Sequence, residues 1–106
     1  FTKKAAKKAG YDVMTGSAPL SMNPFGMLTS QNEGIVEIIS EKKYGEILGI
    51  HILGDGACEM AGQAVLAIQM EMTLEELARA QFPHPTLSES LPEAARDALG
   101  WPIYLP

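Results

Sequence analysis

Two β-branched runs, Ile-Val-Glu-Ile-Ile-Ser at 35–40 and Ile-Leu-Gly-Ile-His-Ile-Leu at 47–53, flank the segment Glu41-Lys42-Lys43-Tyr44-Gly45-Glu46. Branched side chains suit a pleated surface, and a charged, glycine-containing segment between them has hairpin chemistry, so two neighbouring antiparallel strands are predicted mid-chain. Upstream, Thr2 can cap a short helix through Ala9, with Gly10 in the left-handed conformation that ends it. Residues 11–19 then read as another extended strand. From 20 to 32 the composition shifts to Ser, Asn, Pro, Gly and Met, a turn-rich connector in which Phe25, Met27 and Leu28 are expected to plug the core.

Beyond the hairpin the apolar spacing becomes helical. A helix beginning at Asp55 or Gly56 carries Met60, Ala61, Ala64, Val65 and Ile68 at three- and four-residue intervals, a stripe that must face something apolar. Its small residues, Ala57, Ala61, Gly62, Ala64 and Ala67, allow close approach of another element. Met60, Leu66, Met70 and Met72 suit an adaptable contact surface, so the helix is read as serving both core and subunit contact. Thr73-Leu74-Glu75-Glu76 is a capping box that opens a short helix through Ala80. The last helix can begin at Ser90, with Pro92 in its first turn, or at Thr86; one helix over 86–99, bent near Pro92, is the expectation. Leu87, Leu91, Ala95 and Ala98 or Leu99 form its buried stripe, and Gly100 ends it. The apolar tail 101–106 is expected to pack on this subunit or its mate, because free in water it would be a sticky patch.

The 106 residues, 46% hydrophobic and 20% charged, suit a single domain over 1–106. A chain this size buries around 65% of its unfolded surface, so a partner subunit would add substantially to its stability. Thirteen acidic against eight basic residues argue against nucleic acid or anionic lipid as a general partner. Lys3, Lys4, Lys7 and Lys8 read as a solvated helix face. The single cysteine, Cys58, excludes an intrachain disulfide and implies a reducing, cytoplasmic location. No signal peptide is visible, and Glu59, Gln63, Gln69 and Glu71 interrupt the longest apolar-leaning run, which excludes a spanning helix. Starting at Phe1 without an initiator Met, the chain reads as a piece of a longer polypeptide.

The chemistry concentrates in His84-Pro85-Thr86-Leu87-Ser88-Glu89. In purely structural terms, Thr86 caps the backbone N–H of Glu89 while the Glu89 carboxylate offsets the amide dipoles at a helix start. In functional terms, Glu89 accepts a hydrogen bond from one imidazole nitrogen of His84, which fixes the tautomer and leaves the other nitrogen to handle a proton.

The surrounding residues favour the functional reading. The segment from Thr2 to Val13, the hairpin, the run Gly49-Ile50-His51-Ile52-Leu53-Gly54 followed by Ala57-Cys58-Glu59, and finally His84-Pro85-Thr86-x-Ser88-Glu89 occur in family order. Together they resemble the C-terminal dimerisation domain of the pyridine nucleotide-disulfide oxidoreductases, most closely the dihydrolipoamide dehydrogenases. The resemblance implies an α+β fold, an antiparallel sheet with helices packed on it, in a homodimer. It also implies that His84 and Glu89 are the catalytic acid/base pair lent to the opposite subunit, with His84 and Pro85 beside the cofactor and the His84-Pro85 peptide cis. FAD, NAD and the dihydrolipoamide substrate would belong to the parent enzyme and its nucleotide domains. No Gly-x-Gly-x-x-Gly turn is present and one cysteine makes no redox pair, so the chain alone is expected to bind neither nucleotide and to be inactive. Cys58 is expected to be an inert packing residue.

Two departures bear on substrate. Many dihydrolipoamide dehydrogenases read His-Ala-His-Pro where this chain reads Phe82-Pro83-His84-Pro85. Glutathione reductases follow the motif's Glu with a second acid, where Ser90 stands here. Glutathione or mercuric reductase is therefore the alternative parent. An autonomous module that binds a metal or ligand through His51, Cys58, Glu59 and His84 is the rival class, weakened because no pair among them has ligand spacing.

Overall fold

The computed structural model describes residues 1–29, 33–54 and 56–103, the side chain of Thr29 excepted. The hairpin forms as expected: β2 (Gly34–Glu41) and β3 (Ile47–Gly54) pair antiparallel with Glu37 opposite His51 and Ile38 opposite Ile50, and a register shift falls between Ile39 and Ser40. Its turn is organised by one side chain. The buried Glu41 carboxylate accepts the backbone N–H groups of Lys43, Tyr44 and Glu46 at 2.8, 2.7 and 3.0 Å, and Gly45 takes a φ of 74°. These bonds, that from Glu46 foremost, hold the Glu41 carboxyl below the ordinary carboxylate range. The first strand, β1 (Val13–Pro19), adds antiparallel to the other edge of β2, giving a three-stranded sheet in the order β1-β2-β3.

Alternation along β2 sends successive residues to opposite faces. Val36 and Ile38 enter the main core, and Ile39 enters a smaller one with Ala6 and Leu48 under α1 (Lys3–Lys8). Thr2 caps α1 at Ala5 N–H, 3.1 Å, and Gly10 takes its left-handed φ of 96°, as read from the sequence. The four lysines of α1 are exposed. The main core is closed by α3 (Ala57–Gln69), α4 (Leu74–Arg79) and α5 (Ser90–Leu99), through Met60, Leu74, Leu77, Leu91, Ala94 and Ala95. The contact of α5 with β1 depends on Gly16, where an added methyl would collide with the carbonyl oxygen of Ala94. Beside it, Ser17 N–H donates to Asp97 Oδ2 at 2.9 Å.

Three expectations are corrected. The connector is not merely turns: a 3₁₀ turn over Leu20–Met22 leads into a short helix, α2 (Pro24–Thr29), residues 30–32 lying outside those described. Leu20 plugs the core there, whereas Met27 and Leu28 are 58% and 77% exposed and Phe25 is half-buried, because winding into a helix turns them outward. On α3 the inward stripe is Met60, Ala64 and Ala67; Ala61, Val65 and Ile68 are exposed. Apolar residues nearly encircle this helix, so spacing alone did not set which side faces the sheet; Met60 is core and Met72 half-buried against it. Gly56 is the α3 N-cap, while Asp55 lies outside the described residues.

The last helix also begins differently. A 3₁₀ turn, Leu87–Glu89, runs directly into α5, and Pro92 falls within the first α turn, where its missing N–H deprives the helix of nothing. Thr73 and Glu76 form the expected capping box, and Gly100 closes α5 at φ 89°. The tail is fastened to this chain as far as it is described: Arg79 lies 5.7 Å from the Trp101 ring centre, and Ile103 N–H donates to Glu93 Oε1 at 3.0 Å. Residues 104–106 lie outside the described part. Among the described residues no helix is long and apolar enough to cross a membrane.

Candidate functional site

The candidate pair, His84 and Glu89, lies between α4 and α5. Ala80 leaves α4 in extended conformation, and the His84-Pro85 peptide is cis, as the resemblance implied. Thr86 is extended too, and its hydroxyl donates to the Pro83 carbonyl at 2.8 Å. The chain then turns sharply, so Glu89 returns toward the residues that precede it. Its Oε2 accepts the Thr86 N–H at 2.9 Å, the carboxylate's half of the capping box.

His84 and Glu89, singled out from sequence, are brought together. Nδ1 of His84 lies 2.9 Å from both Oε1 and Oε2 of Glu89. The Glu89 side chain is 11% exposed and that of His84 56%, so a buried carboxylate holds a ring that reaches solvent. A carboxylate only accepts, so Nδ1 carries the shared proton, and in the neutral ring the lone pair lies on Nε2. This arrangement can take a proton from a group approaching Nε2 and return it.

The other candidates stay apart from this pair. His51 is exposed on β3, its Nε2 donating to the Phe1 carbonyl at 2.9 Å. Among the described residues, no three His, Cys, Asp or Glu side chains gather in a way that would hold a metal. Cys58 is an exposed free thiol, which corrects the expectation of a packing residue. It stands at an open apolar groove of about 370 Å³ between α3 and β3, shared with Ile50, Ile52, Val65 and Ile68. Leu66 and Met70, 62% and 74% exposed, extend the apolar surface of this helix.

Two residues tie the site to the rest of the fold, and the sequence reading missed both. Gln63 on α3 donates to Ser88 Oγ at 3.0 Å, and the buried Asn23 reaches Thr86 and Ser90 from 63 and 67 residues upstream. The Asn23-Pro24 dipeptide signals a helix cap, but nothing local announces its distant partners.

The sheet is antiparallel throughout, and although β3 leads through Gly54 and Gly56 into α3, the described residues hold no parallel strand–helix–strand unit of the kind that seats a pyrophosphate.

Comparison with known proteins bears on the family and the fold. Residues 1–95 match the family described as pyridine nucleotide-disulphide oxidoreductase, dimerisation domain. A dihydrolipoyl dehydrogenase of Rhizobium etli is 38% identical over 94% of this chain and 21% of its own length. The mitochondrial dihydrolipoyl dehydrogenase of Pisum sativum is 35% identical over 98% of this chain and 21% of its own. Among solved structures, LpdA from Mycobacterium tuberculosis superposes with a TM-score of 0.80 at 26% identity, covering 89% of this chain and 20% of that one. The HOCl-induced flavoprotein disulfide reductase RclA from Escherichia coli shares the fold, with a TM-score of 0.83 at 23% identity over 90% of this chain and 22% of that one. The chain thus spans about a fifth of the length of the curated relatives it matches.

Proposed function

We propose, for a chain that belongs to the dimerisation-domain family of the pyridine nucleotide-disulphide oxidoreductases, that it pairs with a second copy and lends His84 and Glu89 to the partner's redox centre. The parent in this reading is an NAD-dependent dihydrolipoamide dehydrogenase, and 1–106 is one dimerisation domain of it. FAD and NAD bind in the parent's other domains, where they supply the electron acceptors between the dithiol and the nicotinamide pool. His84 and Pro85 sit beside the flavin site.

Within this chain the mechanism is a proton transfer. The thiol of the incoming dithiol gives its proton to Nε2 of His84, and the resulting thiolate, the competent nucleophile, attacks a sulfur of the parent's disulfide. One S–S bond forms, the old one breaks, and the displaced sulfur leaves as thiolate. Glu89 keeps the ring in register and neutralises the imidazolium while it holds the proton. A chain cut off from the disulfide and the flavin has the base but no electron acceptor, so it is inactive alone. Its lone thiol supports a reducing compartment such as the cytoplasm.

The observation that carries this reading is the double 2.9 Å approach of Nδ1 to a nearly buried carboxylate, on a ring that is itself more than half exposed. Hybrid dimers of the full-length enzyme test it. One subunit carries His84→Gln and the other lacks a redox cysteine, so each homodimer is inactive. A lent histidine restores one working site per hybrid; a hybrid as inactive as its parents overturns the reading.

A further inference from the structure

Asn23 is 5% exposed and lies between α2 and the turn that carries Glu89. Its Oδ1 accepts the Gly26 N–H at 3.0 Å, which fixes the orientation of the carboxamide. Nδ2 must then face the other way. It donates to the Thr86 carbonyl at 3.0 Å and to Ser90 Oγ at 2.9 Å, with the Leu87 carbonyl at 3.5 Å. Thr86 and Ser90 stand at the two ends of the turn containing Glu89. The same Thr86 whose carbonyl accepts from Asn23 Nδ2 donates its N–H to Glu89 Oε2 at 2.9 Å, and that carboxylate holds His84 Nδ1.

We propose that Asn23 is the positioning residue of the His84–Glu89 pair: its carboxamide clamps both ends of the turn and so sets where the carboxylate points. Its catalytic consequence rests on the function proposed above, while the positioning itself does not. No other side-chain chemistry of this size serves. Aspartate would set an oxygen against the Thr86 carbonyl oxygen, and alanine would leave that carbonyl only the long 3.4 Å bond from the Glu89 N–H and take a donor from the Ser90 hydroxyl. The space left among Asn23, Glu89, Ser90 and Glu93 is about 10 Å³, barely one water, so losing the amide opens a polar hole beside the carboxylate.

The test reads the ring rather than the fold. In ¹⁵N-labelled chain, NMR of the imidazole nitrogens should find neutral His84 as the Nδ1–H tautomer. In Asn23→Ala and Asn23→Asp the Nδ1–H share should fall by about half in favour of Nε2–H as the turn slips, while the His51 signals stay as they were. In the full-length enzyme the same variants should lower kcat for the dithiol about tenfold to a hundredfold, the scale of a misplaced catalytic group. Folded variants in which His84 keeps its wild-type tautomer distribution overturn the proposal. Should neither variant fold, the wild-type chain decides: slow exchange of the Asn23 Nδ2 protons supports the clamp, and exchange at the rate of a free carboxamide overturns it. An inactive hybrid dimer with an intact tautomer shift would overturn the proposed function and leave the positioning role standing.

Discussion

Nδ1 of His84 lies 2.9 Å from each carboxylate oxygen of Glu89, five residues along the chain and on the far side of a tight turn. The single Nδ1–H is shared between the two oxygens, and the Thr86 N–H, 2.9 Å from Oε2, steadies the same carboxylate.

Replacing Glu89 by Gln should therefore damage activity more than stability. The amide keeps one acceptor but turns its NH₂ toward either the imidazole or the Thr86 N–H. In the full-length enzyme kcat should fall roughly 10²-fold or more, the usual contribution of a positioned acid/base. Steady-state kinetics on the dithiol, beside a thermal melt that moves by only a few degrees, is the check.

Leu66→Glu or Met70→Glu should weaken self-association. Both side chains are mostly exposed in the single chain, at 62% and 74%, so a charge there costs the monomer little, whereas burying it against a second copy costs at least about 1.4 kcal/mol, or tenfold in dimer Kd. Sedimentation equilibrium measures this. An unchanged Kd would remove α3 from the interface.

Gly16→Ala should be costly even though alanine is small. Its methyl would meet the Ala94 carbonyl, so α5 must lift from β1 at a cost of about 1–3 kcal/mol, the range for overpacking a filled site. The urea midpoint should fall, and amides of α5 should exchange faster than those of α1.

Acid should loosen the hairpin turn. Glu41 is held below its ordinary value of 4.5 by backbone N–H donors, that of Glu46 first, so the folded state prefers the charged carboxylate. The associated stability is complete above about 4.5 and is lost as pH falls through the lower folded value. A urea midpoint followed from pH 7 to pH 3 should drop across that window. Glu41→Gln should start lower and respond less to pH there.

Local signals read from sequence reappear almost unaltered in the structure. Thr2 and Gly10 bound α1, Thr73 and Glu76 open α4, and the branched runs pair across the Glu41 turn. Each depends on neighbours within a few residues, whose chemistry is the same in any fold. The Glu89 half of the site was legible for that reason: residues three and five apart must meet once the turn forms. Two helices mark the limit. On α3, apolar residues on every side left its inward face undetermined, and only the sheet beneath selected Met60, Ala64 and Ala67. In α2, winding six residues into a helix moved Met27 and Leu28 out to water.

The amino-acid order by itself determined the three predicted strands, α1, α3 and α4, and the nearness of His84 to Glu89, because capping, turn chemistry and β-branching act over a handful of bonds. Tertiary structure alone decided which side of α3 is core, that Cys58 faces water, and that Asn23 reaches across 63 residues to grip Thr86. Those outcomes come from filling one interior without voids and giving every buried donor an acceptor, conditions that exist only when the whole chain is folded.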